Sequence, residues 1–257
     1  MNSVNTENTK VVLITGASGG VGAGVALACA SAGWTTWIMA RRAAEAQQIA
    51  DQATLQGGSA RIFIGDVGDP ESVQAAIARI IETDGRLDDI VHNATSGLSP
   101  IPTSLAEVPF ADVADHVRVS LRGTYLLAAA GHPHLVATQG SFVALTSEAG
   151  FEGKARLPVY AAVKAAQRGV IRSLAREWGP TGARANCVAP LASTPAMTAA
   201  FAHDPAMASR VLARNPLDRL GDAEADIGPV VRFLLSDESR YVNGMTIMAD
   251  GGSCPIT

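Results

Sequence analysis

The chain reads as an α/β protein: a single doubly wound parallel sheet of about seven strands with helices on both faces. Three observations point there. Short β-branched apolar runs alternate with helix-forming stretches along almost the whole chain, the pattern of repeated strand–helix crossovers. The first run, Lys10-Val11-Val12-Leu13-Ile14-Thr15, is apolar enough for a strand buried on both faces, and a glycine-rich turn and a helix-forming stretch follow it. Hydrophobic residues make up 47% of the 257 positions and charged ones 17%, enough apolar material to cover a sheet twice over.

Taken in order, strands are expected near Val11–Thr15, Thr35–Ala40, Ala60–Gly65, Asp89–His92, Ser141–Leu145, Arg184–Val188 and Met245–Ala249. Helices are expected between them, near Gly20–Ala32, Ala43–Gln56, Pro70–Thr83, Val108–Ala130, Val159–Trp178 and Ala223–Leu235. Asp69-Pro70-Glu71 is a well-formed helix start: a capping carboxylate, a proline in the first turn, then an acid near the positive end of the dipole. No internal repeat or linker interrupts the pattern, so residues 10–257 are expected to form one domain. Large α/β sheets commonly reach this size as one unit. Residues 1–9 are polar, lack the apolar core of a signal peptide and read as a tail.

Composition narrows the partners. The net charge of −4 is interspersed and forms no basic stripe, which argues against nucleic acid. The longest apolar runs are too short, and too broken by glycine, to span a bilayer. No membrane contact and a cytoplasmic location are therefore expected. Cys29, Cys187 and Cys254 are odd in number and widely spaced, which suits neither a zinc site nor a disulfide framework. Cys29 and Cys187 lie in apolar surroundings and read as small core residues. His132-Pro133-His134 has no evident third ligand and reads as a surface turn, so no metal is expected.

Two motifs carry chemistry. In Gly16-Ala17-Ser18-Gly19-Gly20-Val21-Gly22, Gly16 permits a tight turn after the first strand. Gly19 and Gly20 let a pyrophosphate approach backbone N–H groups, and Gly22 lets helix and strand pack closely. The spacing is Gly-x3-Gly-x-Gly. The second motif is Pro158-Val159-Tyr160-Ala161-Ala162-Val163-Lys164, which sets Tyr160 and Lys164 one helical turn apart and on one face. An ammonium beside a phenol favours the phenolate, so Lys164 is expected to lower the Tyr160 pKa toward working pH. Such a pair can exchange a proton with a carbonyl or alcohol oxygen.

With both motifs present, the chain resembles the compact branch of the short-chain dehydrogenase/reductase family, from about Lys10 to Gly252. Thr15-Gly16-x3-Gly20-x-Gly22 matches its cofactor motif, Asp66-Val67 the pair after the third strand, and Asn93-Ala94 the end of the fourth. Ser147, thirteen residues before Tyr160, matches the catalytic serine, and Thr194-Pro195 the nicotinamide loop. Pro216-Leu217, Arg219, Phe233-Leu234, Gly244 and Asp250-Gly251-Gly252 match its C-terminal third. The resemblance implies a Rossmann-like fold and a nicotinamide cofactor held by Gly16, Ser18, Gly19, Gly20, Val21, Gly22, Asn93 and Thr194. It also implies a carbonyl or alcohol substrate and a homotetramer built through the long helices and the last strand. Ser147 would hydrogen-bond the substrate oxygen and Tyr160 would carry the proton. Lys164 would tune Tyr160 and hold the nicotinamide ribose, and Thr194 would bond the carboxamide. Asp66 would accept from the adenine amino group, and Val67 would pack on that ring.

The end of the second strand bears on cofactor choice. A carboxylate there would repel a 2′-phosphate, whereas this chain has Ala40-Arg41-Arg42, and guanidinium groups bind phosphate oxygens well. In the family an arginine here accompanies NADP(H), which is favoured over NAD(H). Of the two, Arg42 reads as the more solvated. Three departures stand out. Ser120 occupies the place of the family's relay asparagine, where its hydroxyl can still donate and accept. The glycine expected after Pro190 is missing, and His92 and Thr95 replace members of an Asn-Asn-Ala-Gly run. These leave open a second reading, a catalytically impaired cofactor-binding relative acting as sensor or partner subunit. A nucleotide-binding module of other chemistry is disfavoured by Ser147, Tyr160 and Lys164. The chain is similar to β-ketoacyl-thioester reductases only in general terms, so a secondary alcohol, steroid, sugar or quinone stays open. Enoyl reduction is less expected, because members doing it separate tyrosine and lysine by six residues. The segment from Leu191 to Asn215 carries Met197, Phe201, Met207 and Leu212, which either line a pocket or pack on the body.

Overall fold

Apolar, β-branched segments become the central strands because only they bury both faces without leaving polar side chains unpaired. A computed structural model describes residues 9–254, so the polar stretch before Thr9 lies outside the described residues. The strands are β1 Val11–Thr15, β2 Thr35–Ala40, β3 Ser59–Ile64, β4 Asp89–His92, β5 Ser141–Leu145, β6 Arg184–Pro190 and β7 Thr246–Ala249. They form one seven-stranded sheet in the order β3-β2-β1-β4-β5-β6-β7. Every pairing is parallel. Strands β1, β2, β4 and β5 are buried along their whole length, whereas β3 and β7 at the two edges are mostly half-buried.

Alternate residues of each strand feed opposite cores. Leu13, Trp37, Ile90 and Phe142 face α3 Pro70–Asp84, α5 Gly123–Thr138 and α7 Pro158–Trp178 through Ile80, Leu127 and Ile171. Val12, Ile38, Val91 and Val143 face α1 Gly20–Ser31, α2 Ala43–Leu55 and α10 Gly228–Leu235 through Val25, Ala50 and Leu234. Burying each large aliphatic or aromatic side chain of this kind contributes about 2 kcal/mol. The chain reverses direction across the sheet between β1 and β4, and a crevice forms at such a reversal beyond the carboxyl ends of the strands. The register holds those ends level: Thr15 pairs with His92, and His92 with Ala144.

The predicted start of α3 is present: the Asp69 carboxylate accepts from the N–H groups of Glu71 and Ser72 at 3.4 and 3.1 Å. Cys29 and Cys187 are buried in the core, and Cys254 is buried as well. Between residues 108 and 130 the expected single helix is broken. It runs as α4 Phe110–His116, a π-helical stretch Val117–Arg122, then α5. Side-chain donors take the carbonyl at the break: the Ser120 oxygen meets Thr124 Oγ1 at 2.7 Å, Gln167 Nε2 at 3.1 Å and His92 Nε2 at 3.1 Å. Side chains entering the hydrogen-bond ladder are a recognised cause of such bends. The His132-Pro133-His134 segment is not a surface turn but the interior of α5, where His132 stacks on Trp178 with ring centroids 4.9 Å apart. The remaining helices are α6 Ala149–Glu152, α8 Pro195–His203 and α9 Pro205–Leu212. Met197, Phe201, Met207 and Leu212 on α8 and α9 are half-buried. Among the described residues no helix is long and apolar enough to cross a membrane.

His92 is fully buried, and burial, with the Lys164 charge adding to it, pushes its pKa down to about 4. The unfolded chain takes up this proton near 6.5, so stability is full above that pH and falls as pH drops toward 4. The loss approaches about 3 kcal/mol. His92→Asn should therefore show a flatter stability profile between pH 6.5 and 4, read by denaturant unfolding. An unchanged slope would remove His92 from the acid response.

Candidate active site

The glycine turn is built by close approach. Gly16 has φ +67, and a Cβ there would lie 2.7 Å from Ala94 Cα; one on Gly22 would lie 2.4 Å from Asn93 Nδ2. Asn93 Nδ2 in turn donates to the Gly16 carbonyl at 2.9 Å. Gly19, the residue before α1, has open space where a side chain would stand. The first turn of α1 has neither a side-chain cap nor an acid, so its N–H groups are free to meet an anion. The far wall is Thr194, whose methyl lies 3.7 Å from the Cβ position of Gly20. Thr194 Oγ1 caps α8 by accepting from Met197 N–H at 3.1 Å, which leaves its own proton available to a ligand. These features fit a dinucleotide pyrophosphate in the cradle.

The flanking residues depart in part from expectation. Arg42 is exposed, as expected, and from the surface it reaches Ser18 Oγ with Nη2 at 3.3 Å and pairs with Glu45 at 3.0 Å. Arg41 is exposed. Arg42, which immediately precedes α2, reaches back to the glycine loop through Ser18, while the Arg41 charge acts on Asp66. Asp66 is held by Gly68 N–H at 2.8 Å and by Arg118 Nη1 at 2.9 Å. Burial alone would push its carboxyl up, but these partners outweigh burial and keep it below the ordinary range. Val67 does not lie open to an adenine ring. Its side chain is buried in the core, near Gly123.

The second half of the site lies at the carboxyl end of β5. Lys164 is 3% exposed and donates from Nζ to the Leu145 carbonyl at 2.7 Å. Thr146 Oγ1 binds the Lys164 carbonyl at 3.1 Å, fixing α7 to the strand end. Tyr160 sits one turn before Lys164, with Nζ 5.8 Å from its ring centroid. Ser147 Oγ donates to Glu148 Oε2 at 2.6 Å and accepts from Ala149 N–H at 3.2 Å. Glu148 Oε1 receives Lys154 Nζ at 2.7 Å. Burial would raise the Glu148 carboxyl, yet Lys154 and the Ser147 hydroxyl hold it below its usual value.

One electrostatic expectation is reversed. Burial pushes the Tyr160 phenol up to about 12, with Ser147 pulling it down and the Glu148 charge adding to the rise. The Lys164 ammonium is pushed down to about 8, again by burial. The lysine does not acidify the phenol here, because desolvation penalises the charge on both members of the pair. Ser120 lies in the π-helical stretch between α4 and α5. It is fully buried, and its hydroxyl meets Thr95 Oγ1 at 3.3 Å, which meets Ser99 Oγ at 2.8 Å. Residue-by-residue reading missed Glu148, Arg118 and Gln167. Only Glu148 had a local signal, an acid directly after the serine hydroxyl.

A dinucleotide cradle level with a serine, a tyrosine and a lysine at the carboxyl ends of the inner strands defines a nicotinamide-dependent oxidoreductase. A family model described as enoyl-(acyl carrier protein) reductase matches residues 16–254. An L-rhamnose 1-dehydrogenase (NAD(P)(+)) from Sphingomonas sp. (strain SKA58) is 33% identical over 95% of both chains. A 3-oxoacyl-[acyl-carrier-protein] reductase from Staphylococcus aureus is 30% identical over 95% of this chain and 98% of its own. The solved 3-ketoacyl-(acyl-carrier-protein) reductase from Brucella melitensis, complexed with NADH, superposes with a TM-score of 0.87 at 26% identity, covering 96% of this chain and 98% of that one. The chain belongs to the short-chain dehydrogenase/reductase family and is an NAD(P)-dependent oxidoreductase acting on CH–OH groups.

Because a methyl at Gly22 would lie 2.7 Å from the Gly16 carbonyl, a backbone atom that cannot swing aside, Gly22→Ala should destabilise the fold by about 1–3 kcal/mol. It should also weaken binding of the reduced cofactor at least tenfold, measured by nicotinamide fluorescence. Unaltered affinity would show that the cradle is not the binding site.

Proposed function

We propose that the protein interconverts a secondary alcohol and a ketone with NADP(H), using Tyr160 as the acid/base. The observation carrying this reading is the gathering of Tyr160, Lys164 and Ser147 at the end of β5, at the carboxyl end of the sheet that also bears the glycine cradle. The bound cofactor supplies a hydride acceptor at nicotinamide C4 and, when oxidised, a cationic ring. In oxidation Tyr160, as the phenolate, would take the hydroxyl proton of an alcohol whose carbinol hydrogen faces that acceptor. Reduction runs the same steps backward. Lys164, held at the Leu145 carbonyl, is placed to orient a ribose hydroxyl. Ser147 holds the substrate oxygen within reach of Tyr160. The cleft beside Tyr160 is lined by Leu98, Ile101, Val108 and Leu157 and also by Asp112 and Arg156, which supports a substrate with both an apolar and a polar portion.

Arg42 beside Ser18 supports a 2′-phosphate and hence NADP(H) over NAD(H). The exposed aromatic rings of Phe110 and Tyr125, on α4 and α5, support self-association through those helices into the homotetramer. The Tyr-x3-Lys spacing supports carbonyl and alcohol chemistry rather than the enoyl reduction named by the family model.

Tyr160→Phe should lower kcat by about 10²–10⁴-fold with cofactor affinity nearly intact, followed by nicotinamide absorbance on a panel of alcohols and ketones. Retained turnover would remove Tyr160 from the mechanism, and binding without turnover in the unaltered protein would favour a sensor. Arg42→Ala should cost about tenfold or more in kcat/KM with NADP(H), the scale of a charge-assisted hydrogen bond, and leave NAD(H) nearly unchanged. Equal losses with both cofactors would overturn the assignment of Arg42.

A further inference from the structure

His116, the last residue of α4, is 6% exposed, and its Nδ1 is buried with no hydrogen-bond partner among the described residues. A buried ring nitrogen left unpaired is costly, so a native fold keeps one where something else supplies the bond. His116 lines the same cleft as Tyr160. Burial pushes its imidazole below the usual range, against the pull of the Asp115 and Asp112 charges. The ring is therefore neutral, with one nitrogen donating and the other accepting.

Two further polar groups line that cleft with bonding capacity to spare. Asp112 stands one turn before His116 on α4 and is half-buried, and Arg156 is exposed on the segment leading into α7. Among the described residues neither takes part in an ion pair, with each other or with another group. The Arg156 guanidinium meets the Pro102 carbonyl at 3.4 Å, a long contact. Its backbone is nonetheless fixed: φ is +64, in the left-handed region, and its carbonyl accepts from Thr103 N–H at 2.7 Å. Strained residues of this kind collect at binding sites.

The three groups ask different things of a ligand. Asp112 needs a donor, Arg156 an acceptor, and His116 Nδ1 one or the other according to its tautomer. A carboxylate or phosphate would meet Arg156 but be repelled by Asp112, and an ammonium would do the reverse. A hydroxyl donates and accepts at once and carries no charge, so hydroxyls on neighbouring carbons can satisfy all three. The remaining wall, Leu98, Ile101, Val108 and Leu157, suits the C–H faces of the same molecule. We propose that the substrate is a neutral polyhydroxylated alcohol of the sugar or sugar-alcohol class, and that His116 and Asp112 bind a hydroxyl beyond the reacting carbinol. Arg156, at the mouth of the cleft, receives another. This deepens the proposed function and rests on Tyr160 acting in that cleft. His116 is then a specificity-determining residue: an alcohol with a single O–H spends it at Tyr160 and leaves Nδ1 unpaired.

Two measurements test this. The first needs no turnover and follows the ring nitrogen resonances of ¹⁵N-histidine-labelled protein with NADP⁺, those of His116 being assigned by their loss in His116→Asn. Xylitol or trans-1,2-cyclohexanediol should shift the His116 resonances, whereas 2-pentanol or cyclohexanol at equal concentration should not. Resonances unmoved by all of these, or moved alike by polyol and mono-alcohol, overturn the proposal. The second is kinetic and compares xylitol with 2-pentanol, and trans-1,2-cyclohexanediol with cyclohexanol. In the unaltered protein kcat/KM should favour the polyhydroxylated member of the better-used pair by about tenfold or more, the worth of one strong hydrogen bond. His116→Phe should bring that ratio close to one, and His116→Asn, whose amide reaches the place of Nδ1, should keep most of it. Asp112→Ala should lower the same ratio without disturbing a fully buried side chain. A ratio near one in the unaltered protein, or equal losses on both members of a pair in the variants, overturns the proposal. Absence of turnover on every alcohol in the unaltered protein would instead defeat the proposed function, and the nitrogen resonances would still decide this inference.

Discussion

The site depends on how closely the backbone leaving β1 approaches the backbone leaving β4. Gly16 fits against Ala94 only because it has no side chain, and Thr15 ties the two strand ends together. Thr15 Oγ1 accepts from the N–H groups of Asn93 and Ala94 at 3.2 and 3.3 Å, so both its lone pairs are used and its proton must go to His92 Nδ1, 3.0 Å away. His92 therefore carries its own hydrogen on Nε2 and gives it to the Ser120 carbonyl. The same carbonyl holds Gln167, one turn after Lys164 on α7. A chain of buried bonds thus runs from the cradle to the helix that bears the tyrosine and lysine. Because every link is desolvated, loss of one leaves its neighbour unsatisfied, which is more costly than the bond itself.

That connection gives the electrostatics their meaning. Lys164 is buried with a carbonyl as its partner, and its charge helps to keep His92 neutral. Tyr160 lies on the other side, where the Glu148 charge and burial both oppose a phenolate. The resting site is therefore short of positive charge next to the phenol. An ionised Tyr160 becomes favourable only when more positive charge lies close by. The level strand ends bring the cradle's ligand to that end of the sheet, so cofactor binding and proton transfer are linked by geometry. Lys164 does not supply it alone, because its ammonium is held at the Leu145 carbonyl.

The strands and the Ser147–Tyr160–Lys164 group were legible because each is specified locally. A buried parallel strand must be a short apolar run, and a tyrosine and lysine must stand one turn apart to share a helix face. What the sequence hid was set by partners distant along the chain. The bend at Ser120 depends on His92, 28 residues earlier, and Gln167, 47 residues later. His132-Pro133-His134 looks like a turn by composition, but stacking on Trp178 keeps it in the helix. Choosing Arg42 over Arg41 required knowing where α2 starts, since the two side chains are chemically identical. The high proton affinity of Tyr160 could not be read from its spacing to Lys164, because burial depends on the whole fold.

Positions 92 and 120, both departures from the family pattern, meet at one bend. In the π-helical stretch the Ser120 carbonyl accepts from side chains, Thr124 Oγ1 among them. A buried carbonyl cannot be left without donors. Histidine at 92 is long enough to cross from the end of β4 and supply one, while Gln167 supplies another from α7. Gly123, directly after the bend, makes room: a Cβ there would stand 3.2 Å from His92 Cε1. Thr95 then finds the Ser120 hydroxyl instead of leaving a gap. His92 and Gln167 together hold the bend against α7, the helix that carries Lys164. The altered residues tie the catalytic helix to the cradle, and the groups that would meet substrate keep the family's residue types.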